Sequence, residues 1–294
     1  MGAYPTGSET TVTSVDPAIP QYWDAVALEA AYSKATLAKP EMVMAEVGEG
    51  KKFGDIYNWT ELSALTTNAT GADGAVANQE WTHTNRPVSI NQWREITVTI
   101  TDRAKEQSVL DYGELFSKNA GKAAAEKWDT DCFGLHSSIT GANQLGSTAA
   151  GLIEVMSDDL ALEATILLDD LKVEFENRSW HFAPRAKAQL LKLDKFVYVQ
   201  ATGEKKGPQI GGASILGDLY GSPVSVSALV ATSGSPAVRK NLYIHRQAMG
   251  IVTIRSLNVE KFARVSKADT YSADTIYGFG ITRPTFGVVI NTQA

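Results

Sequence analysis

Residues 94–135 decide the reading. They run Arg94-Glu-Ile-Thr-Val-Thr-Ile-Thr-Asp102 and, after a short polar stretch, Tyr112-Gly-Glu-Leu-Phe-Ser-Lys-Asn-Ala-Gly-Lys-Ala-Ala-Ala-Glu-Lys-Trp-Asp-Thr-Asp-Cys-Phe-Gly-Leu135. In the first part Ile96, Val98 and Ile100 alternate with Glu95, Thr97, Thr99 and Thr101, the two-residue period of a half-buried strand. In the second, Tyr112, Phe116, Ala120, Ala124, Trp128, Cys132 and Leu135 recur every fourth or third residue, so they share one helix face. At 1.5 Å per residue, a helix over 112–135 is a rod of about 36 Å. Ser108 followed by Asp111 resembles a capping pair, although Glu or Gln is the usual partner. Gly113 and Gly121 each weaken the helix by about 1 kcal/mol relative to Ala. One side is almost all alanine, at Ala120 and Ala123–Ala125, which admits a close neighbour.

Upstream, residues 1–20 are rich in Thr, Ser, Gly and Pro. They read either as an extended arm that reaches a neighbour or as a leader without a core. Trp23, Val26, Ala27, Ala30, Ala31 and Ala38 follow at helical spacing, stopped by Pro40. From Met42 to Ile100 the pattern is that of strands. Phe53, Ile56, Tyr57 and Trp59 make one apolar stretch, and Val88, Ile90 and Trp93 make the return. Between them Thr66–Gln79 is small and polar, with Asp73 its only charge, and a linker of that length is uncommon in a compact domain. It reads as the tip of a two-stranded flap, or else as a plain surface loop.

Downstream, Gly141–Gly151 is a small-residue linker. Ser157 then caps a helix with Asp158 and Asp159 in its first turn, where the helix dipole favours negative charge. Its apolar face is Leu160, Ala164, Leu167, Leu168, Leu171 and Phe175. A short strand at Trp180–Phe182 meets Pro184, which suits the first position of a helix through Leu193. Val197–Val199 reads as a strand, 203–223 as a Gly-rich loop and Val224–Val230 as a strand. Leu242–Ile290 reads as strands, with alternation at Ile251, Thr253, Arg255, Leu257 and Val259 and a polar turn at Ser266–Ser272. Long helices among antiparallel strands give the class α+β.

The composition excludes several functions. With 294 residues and a net charge of −6, the chain has no Lys/Arg run longer than pairs such as Lys51-Lys52 and Lys205-Lys206. Phosphate binding would need clustered basic residues. No window approaches the length of a membrane span, and the N-terminus has no signal-peptide pattern. The Asn-x-Ser/Thr triplets at Asn58, Asn68 and Asn177 have no secretory route to give them meaning. Cys132 is the sole cysteine and sits on the apolar stripe, so it reads as a small buried hydrophobe rather than a nucleophile. His83, His136, His181 and His245 are isolated, without metal-ligand spacing. Gly203-Glu-Lys-Lys-Gly207 lacks the ending of a phosphate loop, and Gly211-Gly212 does not open a helix. Asp158-Asp159 and Asp169-Asp170 are adjacent pairs that do not share a helix face, so they read as a cap and a solvated side. No catalytic, cofactor-binding or metal residue is nominated, and no cofactor is expected.

The order of parts resembles the capsid fold named after phage Hong Kong 97. Arg94–Asp102 running towards Trp128-Asp-Thr-Asp131 resembles that family's passage from flap into spine helix. Phe182-Ala-Pro184 through Ala188–Asp194, Gly217–Val224, Asn241–Met249 and Tyr277–Pro284 resemble its axial-lobe and closing strands. Together the phrases cover most of residues 40–290, and their order in one chain is the specific part.

The resemblance implies an L-shaped, non-enzymatic subunit. Residues 1–41 would be the N-terminal arm and short helix, 42–101 the extended hairpin loop, 102–154 with 251–294 the peripheral domain holding the spine helix, and 155–250 the axial domain. It implies a major capsid protein of a tailed phage that self-assembles through hexamers and pentamers into an icosahedral shell around double-stranded DNA. Such a chain would be made in the bacterial cytoplasm and reside in the virion, without membrane contact. A separate scaffolding protein and a portal are implied, with a decoration protein as an optional partner. Lys51 and Lys52 lie at the base of the flap and its tip has no lysine, so covalent cross-links between subunits are not expected. The alternatives are an encapsulin-type nanocompartment shell and a phage tail or adaptor protein.

Overall fold

The structure is a computed structural model, and it describes residues 18–47, 54–63, 65–68, 78–107, 112–192, 215–266 and 268–294. The proposed cap at Ser108–Asp111, the strand at Val197–Val199, the first part of the Gly-rich loop and most of the flap tip lie outside those residues.

The central helix forms as its spacing requires. It runs Tyr112–Gly134 (α3) and tightens into a 3₁₀ turn at Leu135–Ser138. Phe116, Ala120, Ala124, Trp128 and Cys132 are all buried on one face. Across them lies an earlier helix, Ala18–Lys34 (α1), with Ala27 and Ala31 buried at the crossing. α1 stops at Lys34, six residues before Pro40, so proline does not end it.

These two helices cover one face of a four-stranded sheet. Its order is β1 (Met44–Val47), β11 (Met249–Ser266), β12 (Ala268–Ile281), β4 (Gln92–Thr101). β1 runs parallel to β11, and the other pairs are antiparallel. Ile251, Leu257, Val259, Tyr271, Ala273 and Tyr277 point into the shared core with Trp128 and Phe133. The segment Ser266–Ser272, expected as a polar turn, is strand from Ala268 onward: its threonine and serine pair with Thr99 and Thr97 of β4. Cross-strand hydroxyl contacts satisfy there what a turn would have left to water.

The flap is a separate two-stranded sheet, β2 (Ile56–Leu62) against β3 (His83–Ser89), with Ile56 opposite Ser89 and Leu62 opposite His83. A short helix, α2 (Asp102–Glu106), follows β4. Residues 42–101, expected as one hairpin unit, therefore divide between two sheets: β1 and β4 pair with β11 and β12, and only β2 and β3 pair with each other.

A second sheet has the order β5 (Gln144–Leu145), β13 (Gly287–Gln293), β10 (Val238–His245), β6 (Arg178–Phe182), β8 (Ser222–Val226), β7 (Ile215–Leu219), with β9 (Thr232–Ser233) beside β10. Two helices cover it, α4 (Asp158–Asp170) and α5 (Pro184–Leu190). Ser157 accepts from the Leu160 amide at 3.3 Å, and Pro184 occupies the first turn of α5. α5 ends at Leu190, short of the expected Leu193. The core holds Trp180 stacked on Tyr243, ring centroids 3.8 Å apart, with Phe182 alongside. Burying each such side chain contributes about 1.5–3 kcal/mol.

Two expectations change here. Residues 215–223 are not loop: β7 and β8 form a hairpin whose turn places Tyr220 and Gly221 at positive φ, and β8 ends at Val226. The chain's end, grouped by sequence with the first sheet, supplies β13 to the second, where every residue from Gly287 to Thr292 is buried.

Candidate assembly surfaces

The flap is anchored at its root by three glycines. A Cβ at Gly250 would meet the Trp59 ring at 2.6 Å, one at Gly278 would meet the Ser89 carbonyl at 2.3 Å, and one at Gly280 would meet Val88 at 2.4 Å. The absent side chains let the hairpin lie directly on β11 and β12, where Val88, Ile90 and Val252 form a small buried cluster with Tyr57 and Trp59. Glu61 adds charge contacts to Arg283 at 3.3 Å and Arg86 at 3.5 Å. These are partly exposed pairs, each worth about 1 kcal/mol or less. Ile56, at the root end opposite Ser89, and Leu62, at the far end opposite His83, are exposed. At the tip's base the Gln79 side chain bridges back to Thr66, accepting from its amide at 2.9 Å and donating to its carbonyl.

The N-terminal helix is held by a buried carboxylate. Asp129 accepts from the amide and hydroxyl of Thr36 at 2.7 and 2.6 Å, from the Leu37 amide at 3.0 Å and from the Ala38 amide at 2.9 Å. These donors end α1, which explains why it stops before Pro40. Gly121 completes the crossing: a Cβ there would lie 2.2 Å from the Ala27 carbonyl oxygen. The glycine that weakens α3 in isolation is what lets α1 approach. Asp131, two residues from Asp129, accepts from Tyr277 at 2.8 Å and pairs with Lys127 at 2.5 Å. Burial pushes the Tyr277 hydroxyl well up from its ordinary range, and Asp131 adds to this.

The second lobe presents apolar groups outward. Ile166, 56% exposed, and Leu162 lie on the outer side of α4, with Val155 just before it and Leu171 and Phe175 just after. Leu171 and Phe175 were expected on the inner face. α4 ends at Asp170, and the chain leaves the helical period before it reaches them. Asp169, read as solvated, reaches back to the buried Arg178 at 2.7 Å, which also donates to the Val173 and Glu174 carbonyls. No sequence spacing signalled that pair.

The titratable residues singled out earlier remain apart. Cys132 is fully buried with its sulfur 3.8 Å from that of Met249. Burial, then Asp129 and Asp131, push its thiol up, away from a reactive thiolate. His181 is buried between Ser179 and Ser225, at 2.9 and 2.5 Å, and burial lowers it to about 3. His245 packs edge-on to Phe286, His136 meets the Phe133 carbonyl, and His83 is exposed on β3. Among the described residues no three His, Cys, Asp or Glu side chains converge on a metal-sized site. No helix among them is long and apolar enough to cross a membrane.

No family model matches the chain, and neither does any curated protein. Solved structures do. The capsid of Ralstonia phage GP4 superposes with a TM-score of 0.69 at 14% identity, covering 88% of each chain. The capsid of the cyanophage P-SCSP1u gives 0.67 at 15%, covering 85% of this chain and 87% of that one. A virus-like particle from Pyrococcus furiosus gives 0.56 at 11%, covering 92% and 98%. The fold is the Hong Kong 97-type capsid fold. The α+β class and architecture expected from the sequence are the ones found. At such identities nothing transfers residue by residue. A hairpin rooted on glycines with an exposed shaft and an apolar helix on the second lobe are parts of the capsid fold that the monomer leaves uncovered.

Proposed function

We propose that this chain is the major capsid protein of a tailed bacteriophage, a non-enzymatic subunit that assembles through hexamers and pentamers into an icosahedral shell around double-stranded DNA. The observation that carries the reading is coverage. Two phage capsid chains are matched over 85% or more of both partners, so most of this chain has a counterpart in a shell subunit. The flap supports it, because its shaft buries little against its own body. On this reading the arm and first helix occupy 1–41 and the extended loop is the β2–β3 hairpin. The lobe built on α3 is peripheral, and the lobe around Trp180 and Tyr243 is axial. Many modest contacts per subunit then sum to a stable shell.

The finer partners belong to the same proposal: a separate scaffolding protein, a portal, an optional decoration protein, and assembly in the bacterial cytoplasm before residence in the virion. Subunits stay non-covalent. The match to the Pyrococcus furiosus particle supports the encapsulin-type alternative, with the lower TM-score. Electron microscopy of the protein, alone and co-expressed with its genomic neighbours, tests both. Closed shells that take up DNA with portal and scaffold support the phage reading, and shells that enclose a co-expressed protein instead support the alternative. A compact monomer under all conditions overturns both.

A further inference from the structure

Open strand edges pair with other chains unless they are short, charged or interrupted by proline. Most edges in this chain are protected in that way. β1 has four residues and β5 two, β7 carries Gly217 and Asp218, and in the flap β2 carries Glu61 while β3 carries Arg86 and Pro87. β4 is different. It ends the four-stranded sheet, spans ten residues, and from Ile96 to Thr101 has no charge, glycine or proline. Among the described residues no strand lies along its outer side.

We propose that this edge pairs antiparallel with the same edge of a second copy, across a two-fold axis at Val98, so that the two sheets become one. The inference rests on the shell reading above and names one of its contacts. Such an interface is isologous, and a closed shell contains two-fold relations between neighbouring subunits.

The strand's own sequence selects the axis. Opposed residues of an antiparallel pair point to the same face. An axis at Val98 therefore opposes Thr97 to Thr99 on one face and Ile96 to Ile100 on the other, and brings Arg94 towards Asp102 at the ends. A shift of one residue would set Ile96, Val98 and Ile100 against threonine or glutamate. A shift of two keeps the faces but opposes Asp102 to Ile96, or Arg94 to Ile100. Only the axis at Val98 matches both hydrophobicity and charge.

A second observation agrees. Ile96 and Ile100 pack against the helix-covered core, yet Val98 between them on the same side is 44% exposed. A second Val98 across the axis would cover it. Seven rungs, from Glu95 to Thr101, make a seam of about 24 Å at 3.4 Å per residue.

Val98→Cys in assembled particles tests the pairing. Mild oxidation should convert the chain to a disulfide-linked dimer on a non-reducing gel, while Phe262→Cys, exposed on β11, stays monomeric. Particles in which Val98→Cys stays monomeric overturn the proposal and leave the shell reading intact. A maleimide-reactive thiol then means an open edge, and a protected one means another occupant such as the chain's own residues 1–17. A parent chain that forms no particles under any condition fails the shell reading instead, and this proposal with it. Charge exchange provides an independent arm. Val98→Lys alone and Val98→Glu alone should each stay folded by circular dichroism but lose particle formation, because like charges meet across the axis. A one-to-one mixture should restore it. Either variant assembling as the parent does, or a mixture that restores nothing, refutes self-pairing.

Discussion

The Trp59 indole packs against Gly250, and any side chain at that glycine would have to displace it, since a Cβ there would stand 2.6 Å from the ring. This contact fixes where the flap leaves the body. Gly250→Leu should lift the hairpin root and cost about 1–3 kcal/mol through overpacking. Urea unfolding monitored by tryptophan fluorescence reads the loss. An unchanged midpoint would mean that the flap is not seated on this glycine.

Asp129 ties α1 to α3 through four donors. Asp129→Asn keeps the shape but turns an amide N–H₂ towards amide donors, and should cost about 1–3 kcal/mol. The loss should be confined to the N-terminal segment. Hydrogen exchange should quicken at residues 36–38 before it does at Trp180 or Tyr243, and uniform quickening would show that the clamp is not local.

Gly121→Ala sets two effects against each other. Helix propensity favours alanine by about 1 kcal/mol. The new methyl, however, would collide with the Ala27 carbonyl oxygen, which is backbone and cannot rotate away. The collision should win, and the variant should melt below the parent. A higher melting temperature would place the helix crossing elsewhere.

His181 gives a pH signature. Its folded value is depressed to about 3 by burial, while an unfolded histidine titrates near 6.5. The unfolded chain therefore binds the extra proton, and the stabilising neutral form is fully present above about pH 6.5 and lost progressively as pH falls towards about 3. Relative to His181→Gln, the parent should lose about 1.4 kcal/mol per pH unit between pH 6 and 4. Parallel stability curves for parent and variant would contradict the assignment.

Deleting Asn68–Asn78 should separate assembly from folding. The segment is small and polar and offers a core almost nothing, so the monomer should keep its stability while shells fail to form. Trp128→Ala is the contrasting change. That side chain is buried between Tyr32 and Tyr277, and its loss should cost about 3–5 kcal/mol and threaten the fold. A deletion variant that assembles normally would remove the flap from the assembly argument.

The sequence by itself determined the elements whose periodicity is strong. The stripe from Phe116 to Cys132, the alternation of β4, the Ser157 cap and the Pro184 helix start were all legible, because each follows from neighbours within a few residues. Tertiary structure alone decided which partners those elements met. Gly121 looked like a defect until Ala27 lay across it, and Asp169, solvated as expected, also reaches the buried Arg178. Ser266–Ser272 looked like a turn until β4 offered its threonines. β13 joined the second sheet although it follows the first in the chain. Apart from Asp169 and Arg178, which are nine residues apart, the deciding contacts join residues far apart in the sequence. Local propensity can propose a strand or a helix, but burial, close backbone approach and hydrogen-bond satisfaction are settled only when distant segments meet.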